Sequence, residues 1–231
     1  MERQSLPGAA ADVPPAAQAV APAWAPSVRL QLTNFVLFQL GWFAAVLGAA
    51  HGHPLAGTAV ILAVVAWHLA VSARPAVEAR LVAAVSAIGF VVETGMVWLG
   101  HVRYPSGQPV AALPPYWMVA LWALFAVALN VTMRWLRGRA WLAAALGAVA
   151  GPMAFAGGVR LGGAHFVDAS SALLALAVAW GLLMPLLMRL AVRFDGVTVF
   201  APAAAAGQPT AAPPPPGADL PWGRSRPTEK P

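Results

Sequence analysis

The sequence predicts an all-α polytopic membrane protein, a bundle of about six transmembrane helices between two disordered Ala/Pro-rich tails. Three observations carry this. The chain is 60% hydrophobic and only 10% charged, with a mean hydropathy of +0.70, whereas a soluble domain carries about 25% charged residues. Six uninterrupted apolar stretches are each about long enough to cross the roughly 30 Å hydrocarbon layer as a helix rising about 1.5 Å per residue. The 14 basic residues fall singly or in small groups between those stretches. The pI near 11.3 therefore reflects membrane topology and implies no nucleic-acid partner. With no cysteine in the chain, disulfides, thiolate metal ligands and cysteine nucleophiles are excluded.

Residues 1–28 form the N-terminal tail and residues 194–231 the C-terminal one, which ends in TAAPPPPGADLPWGRSRPTEKP. Most of the prolines lie in these tails, and such segments bury too little apolar surface to offset their ordering entropy. The membrane domain, 29–193, holds apolar stretches near 31–50, 55–73, 81–102, 115–136, 140–158 and 171–191. Their unbroken hydrophobicity excludes barrel strands, which alternate. His51-Gly52-His53-Pro54 turns between the first two helices, and the proline-rich stretch from Pro105 to Pro115 separates the third and fourth. Asp168 is placed to cap the sixth.

Twelve basic residues, from Arg3 to Lys230, fall on one side of this six-helix arrangement, and only Arg103 and Arg160 fall on the other. The positive-inside rule then places both termini in the cytoplasm. Tyr104, Tyr116, Trp117 and Trp98 near the outer boundary, and Trp135 and Trp141 near the inner one, read as interfacial anchors.

Glu93 is the least expected residue. It sits in AIGFVVETGMVWLGHV, near mid-membrane if the helix starts at 81, on a face running Val82, Ser86, Gly89, Glu93, Met96 and Gly100. A carboxylate there is costly and faces the bundle interior or a water-filled cavity. It is a candidate proton carrier, cation ligand or general acid/base, against a plainer role as an interhelical hydrogen-bonding group. His68 on helix 2, Gln39 on helix 1, Ser86 on helix 3 and Asn130 on helix 4 fall near one level, and an interhelical polar network is the expectation.

The outer side collects His51, His53, His101, Arg103, Arg160, His165 and Asp168. His51, His53 and His101 are weak metal candidates, since no established ligand spacing is present, and helix-end capping accounts for most of the group. On helix 5, Gly147 and Gly151 continue from Ala143 at four-residue spacing and imply close approach of a neighbouring helix, while Pro152 implies a kink.

The runs FVLFQLGWFAAVLGAA, PPYWMVALWALFAVALN and GAVAGPMAFAGGVRLGGA give residues 35–190 a resemblance to an uncharacterised family of small multi-pass bacterial inner-membrane proteins, a domain of unknown function. The resemblance implies a multi-pass bacterial inner-membrane protein and supplies no reaction. It also implies an aromatic hydroxyl shortly after Gly-Pro, where this chain has Phe155. The expected function is a non-catalytic bundle that binds or passes a small apolar or lipid-like molecule, with the bilayer and a membrane-protein partner or second copy as its company. The competing readings are a lipid-modifying enzyme using Glu93 as acid/base and a scaffold recruiting partners through its tails. The sequence does not identify a cofactor.

Overall fold

The computed structural model describes residues 26–197, which form six helices and one two-stranded ribbon. Five of the helices are long and apolar enough to cross a membrane, so this is a multi-pass membrane protein embedded in a lipid bilayer. Apart from residues 26–28 and 194–197, the two tails lie outside the described residues.

Helix α1 (Val28–Ala50) starts at Ser27, whose hydroxyl accepts the Leu30 N–H. It stops at Gly52, which takes φ +77°, a left-handed conformation without steric cost for glycine. Helices α2 (Pro54–Val71) and α3 (Pro75–Trp98) each begin on proline, whose fixed φ and missing N–H suit a first turn. Helix α3 therefore begins six residues earlier than expected. Glu78 consequently lies in its first turn, and Glu93 lies about one and a half turns short of Trp98 instead of near the middle.

The stretch 115–136 is not one continuous helix. Helix α4 (Tyr116–Leu129) has 14 residues, and the chain then turns into a single 3-10 turn at Arg134–Leu136. At about 21 Å, α4 is too short to cross the hydrocarbon layer. Most of its side chains are buried, because α1, α2, α3 and α6 surround it. Irregular backbone at membrane depth is tolerated when protein covers it. Here the covering segment is tied down by side chains: Trp117 Nε1 donates to the Ser106 carbonyl at 3.0 Å and Ser106 Oγ to the Ala49 carbonyl at 2.8 Å.

Helices α5 (Ala140–Arg160) and α6 (Ala169–Arg193) form an antiparallel pair. Asp168 caps α6 by accepting the Ser171 N–H at 2.8 Å, and that bond holds its carboxyl below the usual range. Strand β1 (Val102–Arg103) pairs antiparallel with β2 (His165–Phe166), joining the loop after α3 to the one before α6.

Glycines set the closest helix contacts. A Cβ on Gly57 would stand 2.4 Å from the Ala44 carbonyl oxygen, and one on Gly147 2.3 Å from that of Trp180. On Gly151 it would stand 2.3 Å from the Trp180 ring. These contacts bring α2 against α1 and α5 against α6. Trp98, Trp135 and Trp141 are exposed, as interfacial anchors are, but Tyr104 and Trp117 are buried. The loop carrying Tyr104 folds inward over α4, which removes both rings from the boundary.

Candidate functional site

Two polar centres lie inside the bundle. For orientation, the end where α1 begins and α6 finishes is the terminal end, and the opposite one the far end.

The centre toward the far end is built on Glu93. Gly89, one turn earlier on α3, leaves room for the Trp122 ring: a Cβ there would stand 2.1 Å from its Cγ. Trp122 can therefore lie against α3, with its Nε1 donating to Glu93 Oε1 at 3.1 Å. The β1–β2 ribbon fixes the start of the following loop, and Tyr104 donates its hydroxyl to Glu93 Oε2 at 2.8 Å. Burial, and then the adjacent Glu93, push the Tyr104 hydroxyl well above its ordinary value of 10.0, so it stays a donor. Because indole N–H only donates, Oε1 must accept. Glu93 makes no ion pair among the described residues.

Beside Glu93 lies a cavity of about 530 Å³, between α1, α4, α5 and α6, within the usual range for small-molecule sites. Its polar lining is Glu93, Gln39 and Thr132, apart from indole N–H groups; the rest is apolar and largely aromatic, including Phe38, Trp42, Phe125 and Phe155. Trp180 stacks on Trp122 with centroids 4.9 Å apart and planes 12° apart, and its buried Nε1 has no acceptor among the described residues. Leu146, Ala150 and Ala154 of α5, together with Phe35 of α1, line the cavity and are exposed, and α1 and α5 are not closely packed on one another. The cavity therefore opens sideways between α1 and α5. Gly147 and Gly151 line it too, so the glycines that seat α6 also keep this space clear.

The second centre lies at the terminal end. His68 Nε2 is 2.9 Å from Glu78 Oε2, and Glu78 Oε1 accepts from Asn130 Nδ2 at 2.7 Å and from the Gly196 N–H at 2.6 Å. Arg137 donates to Asn130 Oδ1 at 2.5 Å, and it pairs with Asp195 Oδ2 at 2.8 Å, as does Arg134. Arg74 donates to the Asp195 carbonyl. Burial raises the Asp195 carboxyl, but hydrogen bonds and charge from Arg134 and Arg137 outweigh that and hold it below its ordinary value of 3.8. This knot fastens the residues after α6 to α3 and to the turn that follows α4.

The expected network of His68, Gln39, Ser86 and Asn130 thus divides. His68 and Asn130 meet through Glu78, because α3 starts early and α4 ends early. Gln39 lines the cavity instead, and half-buried Ser86 makes no side-chain hydrogen bond among the described residues. Glu78 and Asp195 were missed by sequence reasoning, and so was Tyr104 as a partner of Glu93. A proline at N1 followed by Glu in the first turn was the available signal for Glu78; for Tyr104 there was none.

The outer-side residues converge only in part: Arg103 pairs with His165 across the β1–β2 ribbon, and His101 lies near Asp168. His51, whose ring meets the Leu47 carbonyl at 2.8 Å, is exposed, as are His53, Arg103, Arg160 and His165. His101 Nδ1 lies 3.4 Å from Ser171 Oγ. Among the described residues no three His, Asp or Glu side chains are placed to share a metal ion. Pro152 lies inside α5, which continues through it.

No curated protein and no solved structure matches the chain. The family model described as "Protein of unknown function (DUF2878)" matches residues 31–186, most of the membrane domain including Glu93, Glu78 and the cavity, and the chain belongs to that family.

Proposed function

We propose that this is a bacterial cytoplasmic-membrane protein that binds or passes a small apolar or lipid-like molecule in the cavity beside Glu93, with both termini cytoplasmic. The cavity carries the reading. A space of about 530 Å³ walled by aromatic side chains is expensive to fill with water and favourable to fill with hydrocarbon. Its opening between α1 and α5 gives access from lipid. Both Glu93 oxygens are engaged by Tyr104 and Trp122, which suits a fixed recognition group better than an acid/base that must move protons.

The test is to purify the protein gently, extract what it retains and identify it by mass spectrometry. Ala154→Trp serves as the comparison, because Ala154 lines the cavity yet is exposed and a larger ring there blocks the space without invading the core. The expected result is a defined amphiphile retained by the wild type and lost from the variant. Equal retention by both would reject the cavity as the binding site. The basic residues gathered at the terminal end, including Arg29, Arg80, Arg139, Arg189 and Arg193, against Arg103 and Arg160 at the far end, support this orientation. A C-terminal alkaline-phosphatase fusion should be inactive and a fluorescent-protein fusion bright.

A further inference from the structure

We propose that the cavity's occupant is a lipophilic organic cation, held with its charge against Glu93 and its apolar groups against the aromatic walls; this rests on reading the cavity as a binding site. Glu93 is buried, accepts hydrogen bonds from Tyr104 and Trp122, and has no cationic partner among the described residues. Two donors leave unused lone pairs on an ionised carboxylate, which has about four acceptor positions. A buried acid carries its negative charge only beside a counter-charge and otherwise holds its proton. A cation entering the cavity supplies that charge. The far-end arginines cannot, because Arg103 and Arg160 are exposed at the surface.

The walls point the same way. Trp42, Trp117, Trp122, Phe125 and Trp180 all line the space, and aromatic faces attract cations through their quadrupoles, most strongly when water is excluded. A carboxylate in the same space disfavours fatty acids and other anions. A neutral hydrocarbon gains nothing from the carboxyl group. Gln39 is uncharged and accommodates either case.

The experiment uses the full chain in zwitterionic nanodiscs, with empty discs subtracted. Tryptophan quenching reads the binding of three probes of similar size: tetraphenylphosphonium, neutral triphenylphosphine oxide and anionic tetraphenylborate. The wild type should bind the cation at least about tenfold more tightly than the other two. Glu93→Gln should lose that preference, with thermal unfolding in detergent checking that the variant is folded. The preference among probes in the wild type tests the proposal even should that variant not fold.

Equal or tighter binding of the phosphine oxide would overturn the cation assignment and leave the cavity reading standing; its oxygen would suit the unpaired Trp180 Nε1. Absence of cation binding above empty discs would overturn the assignment as well. Affinities unchanged by Ala154→Trp for every probe would place the binding elsewhere and overturn both readings.

Discussion

Single side chains decide whether buried polar groups stabilise this bundle or burden it. Glu93→Leu would leave the Tyr104 hydroxyl and the Trp122 N–H unpaired, at a cost of about 2–4 kcal/mol. Glu93→Gln keeps an acceptor oxygen and should cost about half as much; thermal unfolding in detergent distinguishes the two. Glu78→Leu should be worse, at about 3–5 kcal/mol, since His68, Asn130 and the Gly196 N–H all lose a partner. The order Glu78→Leu, Glu93→Leu, Glu93→Gln in decreasing damage is the expected outcome of the same measurement. Intramembrane Glu93 was conspicuous in the sequence because no other acid interrupts its apolar run. Glu78 stood between Arg74 and Arg80, where an acid looks like ordinary loop solvation, and only the early start of α3 turns it inward.

At the level of the helices, hydropathy located four spans to within three residues and α3 to within six, because an unbroken apolar run has one stable solution in lipid. It failed at α4 for a physical reason. Hydropathy measures transfer out of water and cannot distinguish burial in protein from burial in lipid, and α4 is buried in protein. The small-residue spacing on α5 was legible as a close contact, but its partner was not, since any of five helices would satisfy it. The structure gives Trp180 of α6. Gly151→Leu should therefore unseat α6 and lower the unfolding midpoint strongly, with overpacking costing about 1–3 kcal/mol or more, whereas Leu142→Ala, at an exposed position, should be nearly silent. Equal midpoints for the two variants would mean that α6 does not pack there.

Across the whole molecule, the segment after α6 is part of the fold. Asp195 joins it to Arg134 and Arg137, so the stability gained there has a pH dependence of known sign. The folded carboxyl lies below its ordinary value of 3.8. The contribution is therefore fully present above that value and is lost as pH falls through the lowered one. Asp195→Asn should cost about 2 kcal/mol at neutral pH and flatten the loss of stability in the acid range. An unfolding midpoint with unchanged acid dependence in that variant would assign the effect to other groups. The charge count on each side of the spans was legible from sequence, whereas the cavity was not, because it arises where α1 and α5 fail to close over α4. On the proposed function, this lateral opening holds a defined molecule. A photoreactive benzoylphenylalanine placed at Leu146, which lines the cavity, and another at Leu186, an exposed position outside it, test this in native membranes by mass spectrometry of the cross-linked adducts. A bound molecule gives one discrete adduct enriched at position 146 and a bulk phospholipid mixture at 186; the same bulk mixture at both positions would rule it out.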